Sequence, residues 1–140
     1  MNIEQRIAEA ETLPPVKAAR ALRNLWLATP IGSKAAGEVG AAVLRLLPDA
    51  EALPPAKATM AVADLWYATL RYSDAEAAAT AALRRLVLAA EALPLEKAAL
   101  ALMRLWGATP RGVSVHAVVE EAMTRWRARA AAGKQTDEIL

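Results

Sequence analysis

Cysteine and phenylalanine are absent from this 140-residue chain, and histidine occurs once. Without cysteine there is no disulfide framework and no thiolate metal site. No apolar run reaches the roughly 18 residues that a membrane-spanning helix needs. The opening residues, Met1 to Arg6, lack the apolar core of a signal peptide. The expectation is a soluble, cytoplasmic protein with no membrane partner. Charge of one sign is also scarce. Lys and Arg total 17 against 15 Asp and Glu, a net +2, too little to imply a nucleic-acid partner. One basic cluster stands out, Arg125, Arg127 and Arg129. It falls near the end of an expected helix, where cations complement the macrodipole. What is abundant is alanine, about a quarter of the chain, together with leucine. These are the best apolar helix formers, so the class expected is all-α. The length suits a single domain able to bury a core.

A long stretch occurs three times. Residues 13–29 read Leu-Pro-Pro-Val-Lys-Ala-Ala-Arg-Ala-Leu-Arg-Asn-Leu-Trp-Leu-Ala-Thr, and their counterparts lie at 53–69 and 93–109. The period is 40 residues both times, with Lys17, Lys57 and Lys97 at one offset and Trp26, Trp66 and Trp106 at another. The organisation expected is an N-terminal helix (1–12), three copies (13–52, 53–92 and 93–132) and a tail (133–140). The first segment matches only the second half of a later helix in this frame, so it reads as a partial, capping element.

Each copy predicts a helical hairpin. Pro14 and Pro15 suit the first turn of a helix, where a missing N–H costs nothing. Thr29, Pro30, Ile31 and Gly32 break that helix, and Ser33 can cap the next. The second helix is expected to run to about Leu47 and to end at Pro48. In the next copy, Ser73 and Glu76 form a capping-box pattern. The third second-helix is expected to start at Val113 or Ser114 and to fade by Gly133, leaving a frayed tail.

A helical wheel at about 100° per residue separates two faces of the first helix in each copy. Ala18, Ala21, Leu22, Leu25 and Thr29 share one side, and their counterparts are nearly unchanged: Ala58, Ala61, Val62, Leu65 and Thr69, then Ala98, Ala101, Leu102, Leu105 and Thr109. This is the expected packing face. Val16, Arg20, Arg23 and Leu27 lie opposite. There the copies diverge, to Ala56, Met60, Ala63 and Tyr67, then Glu96, Leu100, Met103 and Gly107. A helix apolar on opposite sides is either interior or lines a cavity. The first helices are therefore expected inside and the second helices outside.

On this period, the alanine/leucine helices, the repeated Leu-Pro starts and the absence of Phe and Cys, residues 13–132 resemble a computationally designed α-helical tandem-repeat ring, of the toroid or pseudocycle kind. The resemblance implies three helical hairpins closed into a toroid or left as a short α-solenoid. It also implies a central cavity with a diversified lining. Gly37 and Gly40, inside an expected helix, depart from idealised design at about 1 kcal/mol each relative to Ala. They mark either close helix approach or opened space.

Interior positions that differ between copies need a reason, and an asymmetric ligand supplies one. The candidate ligand-binding residues are Arg20, Arg23, Trp26, Leu27, Met60, Ala63, Trp66, Tyr67, Leu100, Met103, Trp106 and Gly107. Such a mix suits a small, mostly apolar molecule with one or two polar groups. A guanidinium fork on Arg20 or Arg23 fits a carboxylate. The tryptophans also read as repeated packing, and the two arginines as the polar cap of an open array. The leading expectation is a monomeric small-molecule-binding module without a cofactor. One alternative is an open solenoid that binds a peptide or protein on its concave face. Another is a catalyst or haem-type cofactor carrier in the same pocket. Only Tyr67, Glu96 and His116 could supply a base or nucleophile, and none sits in a recognised constellation, so binding is favoured over catalysis. His116 could be an axial metal ligand or a base held by Glu120 one turn later. The plainer reading is an exposed histidine paired loosely with Glu120.

Overall fold

A computed structural model describes residues 2–109 and 114–139, with side chains described as far as residue 133. Among the described residues there are seven α-helices and no strand. They are α1 (Ile3–Glu11), α2 (Pro15–Leu27), α3 (Lys34–Glu51), α4 (Pro55–Tyr67), α5 (Asp74–Glu91), α6 (Leu95–Ala108) and α7 (Ser114–Ile139). A short helix is followed by three helix pairs that keep the 40-residue frame.

Local chemistry explains the boundaries. Asn2 caps α1, accepting from the Gln5 N–H while the Gln5 side chain accepts from the Asn2 N–H. Pro15 and Pro55 occupy the first helical positions of α2 and α4, which need no N–H donor. Ser33 Oγ accepts from Ala36 N–H at 3.1 Å and Ser73 Oγ from Glu76 N–H at 3.1 Å. The Glu76 carboxylate reaches back one residue further than a capping box requires, to the Tyr72 N–H at 3.2 Å. Tyr72 has φ +67°, the left-handed conformation that Gly32 adopts at the same place in the first copy with φ +79°. A tyrosine there is strained, and the Glu76 bond helps hold it.

Two expected helix ends are corrected. Pro48 lies inside α3, which continues to Glu51. Pro48 forfeits the bond to the Leu44 carbonyl, yet the helix goes on past it, with Ala52 N–H donating to the Pro48 carbonyl at 3.1 Å and Ala50 fully buried. The helix α7 does not fade at Gly133 but continues to Ile139. Arg125 therefore lies mid-helix rather than in the last turns. Val113, the alternative start for α7, lies outside the described residues, as does Leu140.

The chain divides into two compact units, Met1–Leu83 and Arg84–Leu140, with the division inside α5. In the first unit α2 packs against α1, α3 and α4, and α3 packs against α1 and α4. Its fully buried residues include Leu22, Val39, Val43, Val62, Leu65 and Leu83. Each such side chain contributes about 1.5–3 kcal/mol. Ala18, Ala42, Ala58 and Ala61 have no exposed surface, and these small side chains let the helices approach closely. In the second unit α6 packs on α7, with Leu102, Leu105, Val115, Val119 and Ala122 buried. The repeated face of the first helices is thus the core face, as the wheel predicts. Ala21, Leu25, Thr29, Thr69 and Ala101 are only half-buried.

Two carboxylate–guanidinium clasps recur in the frame. Arg45 holds the Glu11 carboxylate in the first unit. Arg125 holds Glu91 in the second, with Nε to Oε2 at 2.9 Å. Arg129 Nη1 donates to the Glu91 backbone carbonyl at 2.8 Å. Two members of the basic cluster therefore fasten α7 to the end of α5. The Arg125 hydrogen bond holds the Glu91 carboxyl below the usual glutamate range, against a smaller upward push from burial. Glu11 stands where Glu51 and Glu91 stand in later copies. Its clasp on Arg45 supports reading α1 as half of a second helix.

Candidate functional site

In the first unit, Arg20, Arg23 and Tyr67 come together around Asp64. Arg20 Nε donates to Asp64 Oδ2 at 3.0 Å and Arg23 Nη1 to Asp64 Oδ1 at 2.8 Å. The Arg23 guanidinium also lies over the Tyr67 ring, 4.4 Å from its centroid. The carboxylate expected from a ligand is supplied by α4 itself. Asp64 is 4% exposed, which two charge-assisted bonds make tolerable. Asp64 is a residue the sequence argument missed. The available signal was the change of charge at one offset, Asn24, Asp64 and Arg104; the approach of Asp64 to Arg20 and Arg23 comes from the packing of α2 on α4.

The rest of the diverged face of the first helices is open. Leu27 is 72% exposed, Met60 50%, Leu100 57% and Met103 61%. Ala63 is buried. Gly107 is exposed, and a Cβ built there meets nothing within 4 Å. Ala63 apart, these apolar side chains stay exposed, because packing uses the opposite, repeated face. Arg20, Arg23, Leu27, Met60, Ala63, Trp66 and Tyr67 belong to the first unit. Leu100, Met103, Trp106 and Gly107 belong to the second.

The three repeated tryptophans are half-buried but differently partnered. Trp66 Nε1 donates to Thr80 Oγ1 at 3.1 Å, and its ring meets Tyr67 edge-on at 5.4 Å. Trp106 lies against the His116 ring, 5.4 Å between centroids. Trp26 has no hydrogen-bond partner for its indole N–H among the described residues, and that nitrogen is not sealed from solvent.

Trp26 instead lines a groove of about 370 Å³ in the first unit. The α3 wall is Ser33, Ala36, Gly37, Gly40, Ala41 and Leu44, and the opposing wall is Leu70, Ser73, Asp74 and Ala75. The glycines shape it. A Cβ on Gly37 meets nothing within 4 Å, and one on Gly40 meets only the Ala75 Cβ, at 3.8 Å. These glycines therefore leave space rather than permit a clash-limited contact. Side chains at both positions in the next copy, Ala77 and Thr80, are larger. Leu44 and Leu70 are each 42% exposed and give the groove an apolar rim. Of the twelve candidate residues only Trp26 lines it. The glycine pair was the sequence signal for the remainder.

A second cleft, about 510 Å³, lies in the second unit between Met103, Trp106, Glu120, Met123, Thr124 and Arg127. His116 beside it corrects an expectation. It is buried rather than exposed, at 6%. Thr109 Oγ1 donates to the Leu105 carbonyl at 2.9 Å, which leaves its lone pairs to face His116 Nδ1 at 3.0 Å. His116 Nε2 faces Glu120 at 3.3 Å. Both ring nitrogens are thus engaged by the protein, an arrangement suited to joining α6 and α7. No group of three or more potential metal ligands occurs among the described residues, and no helix among them is long and apolar enough to cross a membrane. No known protein family, no curated protein and no solved structure matches the chain.

Proposed function

We propose that the chain is a small-molecule-binding module of the designed helical-repeat kind, and that its ligand occupies the groove beside Trp26. The observation that carries this reading is the groove itself. Its volume of about 370 Å³ falls in the range of about 300–1,000 Å³ typical of ligand sites. Its wall is mostly apolar, with one ionisable side chain, Asp74, and no paired base and nucleophile. Such a wall holds a ligand and offers no general acid–base pair. The unbroken 40-residue period supports the tandem-repeat origin, as a toroid or a short solenoid.

A second reading rests on a different observation. Leu100 and Met103 present an exposed apolar face on α6, and an open array uses such faces to bind peptides. One experiment separates the two. In a titration of isotope-labelled protein with cyclohexanone, the Gly37 and Gly40 amide resonances should shift. Gly37→Leu should weaken binding at least tenfold while stability holds or rises. Gly107→Leu should bind as the parent does. Shifts confined to the α6 amides, or Gly37→Leu binding like the parent, would overturn the groove assignment.

A further inference from the structure

The first and second copies treat the same tryptophan differently. Trp66 and Thr80 lie 14 residues apart, and the indole N–H donates to the threonine hydroxyl at 3.1 Å. Trp26 and Gly40 lie at the same separation in the same frame. The glycine removes both the bulk and the acceptor, so the groove opens where the threonine would stand. Trp26 is left with a donor that no described residue takes up. We infer that the groove selects neutral ligands with an apolar body and one hydrogen-bond acceptor, which takes the Trp26 indole N–H in the place of a threonine hydroxyl.

This inference rests on the groove being the binding site and adds the chemistry of its occupant. A hydrocarbon fills the space but leaves the indole to water. A ketone, amide or alcohol fills it and accepts the bond, which is the arrangement the second copy achieves internally. An anion is disfavoured because the one charged side chain on the wall is a carboxylate, Asp74. Two like charges in a partly dry groove repel. The acceptor should improve affinity about fivefold over the matched hydrocarbon, the net contribution of one ordinary hydrogen bond.

The test compares cyclohexanone, cyclohexane and cyclohexanecarboxylate, which share one ring. The Gly37 amide reports occupancy of the groove, and the Trp26 indole resonance, assigned with Trp26→Phe, reports the anchor. Cyclohexanone should shift both and bind about fivefold tighter than cyclohexane, which should shift Gly37 alone. The carboxylate should bind more weakly than the ketone. Equal binding by all three with a still indole overturns this inference and leaves the groove standing. A Gly37 amide unmoved by every probe overturns the groove as well.

Gly40→Thr supplies a second measurement that needs no ligand. The Cβ it adds makes only ordinary contact with Ala75, and the hydroxyl should bring the Trp26 indole resonance toward that of Trp66 while abolishing ketone binding. Gly40→Val has the same shape without the hydroxyl. It should abolish ketone binding and leave the indole resonance in place. If threonine and valine leave the indole in the same environment, Trp26 does not face position 40 and the assignment fails.

Discussion

Leu22 and Leu27 lie five residues apart on α2, yet Leu22 has no exposed surface and Leu27 is 72% exposed. Their histories across the copies differ in the same sense. Position 22 recurs as Val62 and Leu102, both buried, whereas position 27 recurs as Tyr67 and Gly107. A residue packed against the same neighbours in each copy must keep its shape. A residue facing solvent can change without cost to the core. At these two positions similarity between copies goes with burial, although the invariant Lys17, Lys57 and Lys97 are exposed. Divergence does not by itself indicate a lined cavity.

Ala63, whose counterparts are Arg23 and Met103, already departs from this pattern, and Asp64 departs from it with a charge. Its counterparts Asn24 and Arg104 share neither its charge nor its burial. It is buried because Arg20 and Arg23 on the neighbouring helix satisfy both of its oxygens. A diverged position can thus be a packing position when its partners diverge with it.

The comparison is most sharply tested by truncation. Leu22→Ala should cost about 2–5 kcal/mol, the range for emptying a packed leucine site. Leu27→Ala should change stability by less than about 0.5 kcal/mol. Urea denaturation of both variants checks this, and equal costs would end the distinction between the two faces. A smaller effect is expected at Asp64. Asp64→Ala should cost about 1–3 kcal/mol, the scale of hydrogen bonds to a charged group. Arg20→Ala should cost less, because Arg20 is 59% exposed and its pair is screened by water. An Asp64→Ala cost no greater than that of Arg20→Ala would return Asp64 to the solvent-facing class.

The smallest effect concerns the clasp in the second unit. The Glu91 carboxyl is held below the ordinary glutamate range, about 4.3, by its bond to Arg125. A carboxyl lowered in the folded state contributes stability above its unfolded value and loses it as the pH falls through the folded value. Melting temperatures of the parent and Glu91→Gln should therefore differ slightly at pH 7 and converge as the solution is acidified below pH 4. A difference independent of pH would show that packing, not charge, makes the clasp.

Much of the fold was legible in the sequence. Alanine and leucine content, the 40-residue period and the cap residues gave the helices and their core face, since helix formation and helix packing both leave local periodic marks. Pro48 was misleading because one lost backbone bond costs less than the burial of Ala50 and the turn that carries it. The candidate site was less legible. Wheel analysis shows which side of a helix a residue occupies but not whether another element covers that side, so Leu27 and Met60 were expected inside. His116 was expected outside because its partner Thr109 caps the end of α6, a different helix, so the wheel of α7 alone does not pair them. Gly37 and Gly40 marked either close approach or opened space, and the structure has the second. Which residues faced them across the groove depended on how α3 meets the turn before α5, a relation that periodicity does not encode.

The 34-residue step between Glu11 and Arg45, and again between Glu91 and Arg125, has an engineering consequence. Each clasp joins the end of one second helix, or of the half-helix α1, to the middle of the next. The grip on Arg45 needs only a helix ending in Glu followed by the turn into Leu-Pro. Glu51 and Glu91 end their helices in that same context. A complete hairpin spliced ahead of Leu13 would arrive with its own fastening, so the chain should accept one more repeat at this seam with the grip on Arg45 kept.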